Sequence, residues 1–199
     1  MIINLIAEGD LEVDVAGRLL DFCGHSMGNV YGRKGCDYIR NKAAGFHHYA
    51  TDTQGVLVLT DFRDAKADCV VNALKEYIWD KIPNPPKSFL CRFAKNELES
   101  WLLADREGMA KFLGVALSKM PRCPEEETLP KKTLAALASG SKKRAIREGI
   151  SPPPGHGGIV APGYMTLMRG FVAKYWNIQA SMNLAPSLER CVRRLRGLP

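Results

Sequence analysis

Short runs of consecutive apolar residues predict three strands in the first half of the chain. Val56–Leu59 has four apolar residues in succession, and polar residues begin at once with Thr60. A strand buried on both faces has this pattern, which is typical of the centre of a parallel sheet. The runs Ile2–Ala7 and Ser88–Ala94 predict two further strands of the core.

The segments that follow two of these strands have the apolar spacing of amphipathic helices. Leu11, Val15 and Leu19 recur on one helical face after the first strand. Ala67–Ile78 repeats the arrangement after the second. Strands that alternate with helices are connected by right-handed crossovers. The pattern therefore predicts an α/β fold with a mainly parallel sheet flanked by helices.

The segment His25–Gln54 is interrupted by glycines and has no clear period. We predict a short strand near Asn29–Tyr31 and otherwise a solvated loop. The alternative is a loop whose basic side chains line a substrate channel, and these side chains are Lys34, Arg40, Lys42, His47 and His48.

The second half of the chain is predicted to be helical. Asp105 is positioned to cap a short helix that ends at Gly114. Residues 1–115 are accordingly predicted to form the α/β core, and residues 116–199 a basic helical extension packed on it as one unit. Further helices are predicted at Thr133–Ala138, Tyr164–Trp176 and Ser187–Leu195, with a connector over Ser151–Gly163.

Charge is distributed unevenly along the chain. Residues 1–100 hold 12 Lys/Arg and 14 Asp/Glu, whereas residues 101–199 hold 16 and 7, within a net charge of +7. An acidic half joined to a basic half suits a polyanionic substrate or partner, and nucleic acid is the expected one. A generally basic surface with no specific partner is the alternative.

The cysteine pattern and hydropathy predict a cytoplasmic protein without a membrane partner. The six cysteines form no C-x-x-C pair, which favours reduced thiols. No apolar run approaches the roughly 20 residues that span a bilayer, and the first residues do not read as a signal peptide. A zinc site is a weaker alternative, because the spacing of its candidate ligands matches no compact zinc motif. Those candidates are Cys23, His25, Cys36, His47 and His48.

Carboxylates follow the predicted strands. Glu8 comes directly after the first strand, Asp61 and Asp64 follow the central one, and Glu99 lies soon after the third. The carboxyl ends of parallel strands meet at one edge of a sheet, where ligands bind in open α/β folds. Helix capping is the alternative role of Asp64, and compensation of a helix dipole is that of Glu99.

A cluster of carboxylates suits Mg²⁺ or Mn²⁺ better than zinc. Such an ion can clamp a phosphodiester, stabilise developing charge and activate water for attack. A carboxylate with a raised pKa can also act as a general acid or base. The sequence contains no P-loop, no dinucleotide-binding turn, no nucleophile elbow and no H-E-x-x-H helix, so other chemistries find less support.

Three blocks resemble an uncharacterised bacterial TOPRIM-like family, domain of unknown function four-two-seven-six. They are the Glu8-Gly9 turn, Val58–Cys69 and Arg92–Asp105, and the Glu-Leu-Glu-Ser-Trp-Leu-Leu stretch in the last is the most specific. The Pro130-Lys131 step and Ser187-Leu188 are also similar, so the resemblance covers nearly the whole chain. It implies a TOPRIM-like (Rossmann-like) core with a C-terminal helical extension, and an ATPase partner in a phage-defence or mobile-element setting.

In TOPRIM enzymes the first glutamate is an acid/base or metal ligand, and an Asp-x-Asp pair binds Mg²⁺. Glu8 and Asp61 match these positions, whereas Arg63 stands in place of the second aspartate. Asp64 or Asp68 substitutes for it if the chain has already turned into the helix. Otherwise Arg63 neutralises the site and weakens metal binding.

The leading hypothesis is therefore a Mg²⁺- or Mn²⁺-dependent nuclease or other phosphodiester-cleaving enzyme. The alternatives are a catalytically weak module that binds nucleic acid or an ATPase partner, and an enzyme that handles the phosphates of small nucleotides. The predicted catalytic residues are Glu8 and Asp61, and the predicted metal ligands are Glu8, Asp61, Asp64 and Glu99. The predicted nucleic-acid contacts are Arg63, Arg92, Lys131, Lys132, Lys142, Lys143 and Arg144.

Overall fold

The predicted α/β architecture with a parallel sheet is confirmed. A computed structural model of the protein describes residues 1–65, 67–153, 155 and 157–199. Its four strands within these ranges are β1 (Ile2–Ala7), β2 (Ser26–Gly32), β3 (Gln54–Asp61) and β4 (Phe89–Ala94). They form one sheet in the order β2-β1-β3-β4, and every neighbouring pair is parallel.

Residue contacts divide the chain into two compact units. Unit 1 comprises residues 1–95 and 189–199 and contains the whole sheet, and unit 2 comprises residues 96–188. The boundary predicted after residue 115 falls inside unit 2, so the two descriptions divide the chain differently.

Unit 1 surrounds its sheet with short helical segments. They are α1 (Asp10–Phe22), α2 (Gly35–Lys42), a 3₁₀ helix at Ala43–Tyr49, a 3₁₀ turn at Arg63–Ala65, and α3 (Val70–Leu74), which continues as a π-helical turn at Lys75–Trp79.

Unit 2 is helical throughout its regular structure. Its helices are α4 (Glu99–Ala104), α5 (Arg106–Leu113), α6 (Pro130–Ser139), α7 (Arg144–Ile150), α8 (Tyr164–Lys174) and α9 (Ile178–Met182), with 3₁₀ turns at Leu117–Lys119 and Pro124–Glu126. Helix α10 (Pro186–Arg196) begins in unit 2, and its residues from Glu189 onward belong to unit 1.

The apolar run in β3 forms the centre of the sheet. Val56–Leu59 is at most 1% exposed, because β1 and β4 pair with its two edges and both faces are covered. On one face Val56 and Val58 pack in a cluster with Ile39, Tyr77 and other apolar side chains. Burial of these side chains is the main favourable term for this unit. It also fixes where β3 ends, and therefore where Asp61 lies.

The prediction of a loop over His25–Gln54 is wrong, although a short strand was expected within that segment. The segment contains the full edge strand β2, helix α2 and the 3₁₀ helix at Ala43–Tyr49. Among the described strands β2 pairs with β1 alone, and it is half exposed, so it needs no continuous apolar run. The Asn4 side chain accepts a hydrogen bond from the Asn29 backbone at 3.0 Å, where the β1–β2 register shifts.

The helix predicted over Ala67–Ile78 begins later than expected. Cys69 is the N-cap residue of α3, so Asp64 does not cap this helix. The predicted boundaries of α5 are confirmed: the Asp105 side chain caps it at Gly108, and Gly114 ends it in the left-handed conformation. The connector predicted over Ser151–Gly163 includes two positions, 154 and 156, that lie outside the described residues.

Within the described part of the chain, none of the helices has the length and apolar character needed to cross a bilayer.

Candidate active site

The strand order reverses between β1 and β3. From β1 the chain proceeds to β2 on one side, and from β3 it proceeds to β4 on the other. The two connections therefore leave the carboxyl ends of β1 and β3 in opposite directions, an arrangement that in open α/β sheets leaves a crevice at the switch point. Ligands of open α/β sheets bind at such a switch point. The residues that follow β1 and β3 are thus the candidates for function.

Glu8 lies at this switch point and is oriented by the neighbouring strand. Its Oε1 atom accepts a hydrogen bond from the Thr60 hydroxyl. The same atom accepts one from the Asp61 backbone N–H at 3.1 Å. Both donors are at the end of β3, so the pairing of β1 with β3 sets the direction of the Glu8 carboxylate.

Asp64 reaches the same place through the 3₁₀ turn that follows β3. The turn is held from helix α2, because Arg40 Nη2 donates to the Asp64 carbonyl at 2.8 Å. Arg40 is itself fixed by Asp37 at 3.1 Å and by Glu76 at 3.2 Å. Two elements, α2 and the π-helical turn at Lys75–Trp79, therefore hold the turn in position before any ligand binds.

A tight loop after β2 brings Cys36 to the end of β1. The Arg33 N–H donates to the Ala7 carbonyl at 2.8 Å, and the Gly35 N–H donates to the Glu8 carbonyl at 3.3 Å. Gly32 has a φ of +92°, and a Cβ atom there would lie 2.4 Å from the Ala7 carbonyl oxygen. Only glycine permits this close approach, which starts α2 directly beside Glu8.

Glu8, Cys36 and Asp64 converge at the crevice. One ligand atom from each lies within 4.8 Å of the other two, and all three residues are half exposed. Burial raises the pKa of the Cys36 thiol, and the carboxylates of Glu8, Asp64 and Asp37 raise it further. The thiol is therefore protonated at neutral pH, and the charged donors are the two carboxylates. Such oxygen donors fit Mg²⁺ or Mn²⁺, and the neutral thiol adds little to a hard cation.

The other two predicted ligands lie differently. Among the described residues, the Asp61 carboxylate is not part of the converging group, although its backbone N–H contacts Glu8. Glu99 belongs to unit 2 and is 1% exposed. Its Oε1 accepts a hydrogen bond from the Tyr164 hydroxyl and lies 3.3 Å from Lys131 Nζ. Its carboxylate is thus committed to contacts within unit 2.

Several of the predicted nucleic-acid contacts have protein partners. Lys131 lies against Glu99, Lys143 Nζ donates to two carbonyls at the end of α5, and Arg144 pairs with Glu148. Burial lowers the pKa of Arg92, and the adjacent cations of α10 lower it further. The remaining three, Arg63, Lys132 and Lys142, are exposed.

The candidate zinc ligands do not assemble within the described part of the chain. His25 instead contacts the N-terminal amine at 3.2 Å and the Leu195 carbonyl at 2.8 Å. His47 contacts the Ala44 carbonyl at 2.9 Å. Cys36 is the one member of that set in the converging group.

Three contributors to the crevice carried little signal in the sequence. Thr60 stands directly after an apolar run, which marks its position but not its contact with Glu8. Arg40 and Cys36 are in a segment predicted as a loop, so nothing placed them beside β1 and β3.

Comparisons with protein-family models, with curated proteins and with solved structures found no match for this chain. The resemblance to a TOPRIM-like family therefore stays a prediction.

Proposed function

We propose that this chain is a divalent-metal-dependent phosphodiester-cleaving enzyme of TOPRIM-like type, with its centre at Glu8 and Asp64. The observation that carries the proposal is the convergence of these two carboxylates at the switch point of a parallel sheet. A Mg²⁺ or Mn²⁺ ion bound there would supply charge neutralisation at a phosphoryl group.

The protein residues have separate tasks in this proposal. Glu8 is held by Thr60 and Asp61, so its carboxylate is oriented to bind the cation or to accept a proton from an attacking water. Asp64 is the second ligand, positioned through Arg40. Asp61 acts mainly through its backbone N–H on Glu8, and it contributes its carboxylate only if the end of β3 adjusts.

We further propose that the substrate is nucleic acid and that the enzyme acts in the reducing environment of the cytoplasm. The net charge of +7 supports a polyanionic partner, and exposed cations such as Arg63 and Lys132 can contact phosphates. All six cysteines are unpaired, which supports a reducing compartment.

The first experiment measures Mg²⁺ and Mn²⁺ binding by calorimetry for the native chain, Glu8→Gln and Asp64→Asn. Cleavage of labelled DNA and RNA, single- and double-stranded, is then followed with each cation. We expect binding to the native chain and its loss in both variants, together with loss of cleavage.

The matched control is Asp80→Asn, which removes an exposed carboxylate of unit 1 that is outside the converging group. It is expected to bind the cation and cleave like the native chain. A native chain that is folded but binds neither cation would overturn the proposal. Equal binding by Glu8→Gln would do so as well.

A catalytically weak binding module is the second candidate, and two residues favour it. Arg63 occupies the place of a second aspartate, and Cys36 brings a protonated thiol to the group. Two negative ligands give a weaker cation site than three. This candidate predicts nucleic-acid or ATPase-partner binding that is unchanged in Glu8→Gln, without cleavage by any form of the chain.

A further inference from the structure

Unit 2 contains a large cavity to which the predicted site residues contribute Lys143. Its volume is about 1010 Å³, and every residue that lines it belongs to unit 2. Binding pockets for small molecules have volumes of roughly 300–1,000 Å³, so the space suffices for a nucleotide. The walls come from α5, the start of α7, the end of α8 and the region of α9.

One wall of the cavity presents an aromatic ring to solvent. Tyr175 is 59% exposed and follows directly after helix α8, whose buried face includes Phe171. Its ring lies 5.9 Å from Phe112, which in turn lies 5.1 Å from the buried Phe171. Phe112 also lines the cavity. Tyr175 is therefore an exposed ring anchored to the core through a second ring, as a platform for stacking requires.

Cations predominate among the charged residues that line the cavity within the described chain. There are four, Arg106, Lys111, Lys143 and Lys174, against the two acids Asp105 and Glu107.

One of the two acids is buried, and both of its carboxylate oxygens are already used in hydrogen bonds within the protein. Asp105 is 2% exposed, and its two oxygens accept hydrogen bonds from the Gly108 and Asn177 backbones. Lys143 Nζ is held by the Lys111 and Phe112 carbonyls at 2.7 and 2.9 Å. Arg106 Nη2 likewise donates to the Leu117 and Met120 carbonyls. Lys111 and Lys174 are the exposed lysines that can adjust to an anion.

We propose that this cavity is a nucleotide-binding site, in which a base stacks on Tyr175 and the phosphate contacts Lys111 and Lys174. An exposed aromatic ring beside flexible cations matches a ligand that is planar at one end and anionic at the other. A free nucleotide and one residue of a single strand share this chemistry. The inference goes beyond the proposed function, because it requires neither Glu8 nor Asp64.

The test measures binding by fluorescence polarisation in the presence of EDTA, so that the carboxylate centre takes no part. Two probes distinguish a single strand from a free nucleotide as the ligand. They are a short labelled oligothymidylate and a fluorescent nucleoside triphosphate. Binding of the oligothymidylate alone identifies a strand site, and binding of both probes identifies a site for the nucleotide unit itself.

Variants then locate the site. Tyr175→Ala is expected to weaken binding by about fivefold or more, because the variant loses the affinity that stacking of a base on an aromatic ring contributes. Tyr175→Phe keeps the ring and should bind within about twofold of the native chain. Lys174→Glu should weaken binding and flatten its salt dependence, since it removes a phosphate contact.

Lys119→Glu is the matched control, with the same change of charge at an exposed residue of unit 2 that does not line the cavity. Equal weakening by Lys119→Glu and Lys174→Glu would show general charge attraction and overturn the proposal. Unchanged binding in Tyr175→Ala, or no binding of either probe to the folded native chain, would overturn it as well.

Discussion

The carboxylates of the two units have opposite surroundings. In unit 2, Glu97, Glu99, Asp105 and Glu125 are each at most 5% exposed, and each accepts hydrogen bonds from named groups of that unit. In unit 1, Glu8 and Asp64 are half exposed and lie together with Cys36 within 4.8 Å. Each of the unit 2 carboxylates has its own hydrogen-bond donors, whereas Glu8 and Asp64 place two carboxylates close together.

This difference sets the carboxylates that are paired within the fold of unit 2 apart from the two to which we assign a function. A buried carboxylate has lost its hydration and must be paired, so its partners are part of the fold. Two adjacent carboxylates that remain half exposed gain nothing for stability by being close, since like charges repel. Under the proposed function, a bound cation would compensate for this repulsion. Sequence position did not make this distinction, because Glu8 and Glu99 both follow strands.

The largest expected effect is on Glu99. Glu99→Ala removes the buried carboxylate that accepts a hydrogen bond from the Tyr164 hydroxyl and pairs with Lys131. We expect the free energy of unfolding to fall by about 3 kcal/mol, measured by urea denaturation.

The control for this change is Glu148→Ala, which breaks an exposed ion pair with Arg144 in the same unit. It should cost less than about 0.5 kcal/mol. Equal losses in the two variants would contradict a structural role for Glu99.

Asp105 should show a smaller loss of the same kind. Asp105→Ala removes the cap of α5 and the acceptor of the Asn177 N–H. We expect a loss of about 2 kcal/mol in thermal or urea unfolding, because two backbone donors lose their partner. Asp105→Asn retains an acceptor oxygen and should lose less. A full loss in Asp105→Asn would mean that the charge, rather than the hydrogen bonds, is what matters.

The unit 1 carboxylates should respond to the cation rather than to folding. Without metal, Glu8→Gln and Asp64→Asn are expected to change the free energy of unfolding by less than about 1 kcal/mol. Mg²⁺ at tenfold its dissociation constant should stabilise the native chain by about 1.4 kcal/mol and leave both variants unchanged. Differential scanning fluorimetry with and without the cation measures this. If, without metal, Glu8→Gln or Asp64→Asn lowered the free energy of unfolding as much as Glu99→Ala does, the contrast between the two units would be contradicted.

The smallest effect concerns the Cys36 thiol. Burial raises its pKa, and the Glu8 and Asp64 charges raise it further, so Glu8→Gln should lower the pKa. Alkylation of the Cys36 peptide by iodoacetamide, followed by mass spectrometry over a pH series, should then begin at lower pH in the variant. An unchanged profile would mean that Glu8 and Cys36 do not interact in solution.

The sign of the linkage follows from the direction of that shift. The folded chain holds the Cys36 proton more tightly than the unfolded chain does. This contribution to stability is therefore complete below the unfolded pKa of the thiol and is lost as the pH rises through the folded one.

Local pattern was sufficient to predict three strands of unit 1 and the ends of one helix of unit 2. The apolar runs identified β1, β3 and β4, because strands buried in a sheet need apolar residues on both faces. Asp105 and Gly114 marked the ends of α5 through capping chemistry that depends on a few neighbouring residues. For β2 the sequence predicted only a short strand near Asn29–Tyr31. An edge strand is half exposed and therefore carries only a weak apolar pattern.

By itself, the sequence determined the α/β class and the placing of Glu8, Asp61 and Asp64 after buried strands, since both depend on local periodicity. The tertiary structure alone decided which carboxylates meet. Strand order put β1 beside β3, a glycine at position 32 let the following loop bring Cys36 to Glu8, and the packing of unit 2 enclosed Glu99. Proximity between residues distant in the chain is set by packing and hydrogen bonding across elements, which no local pattern encodes.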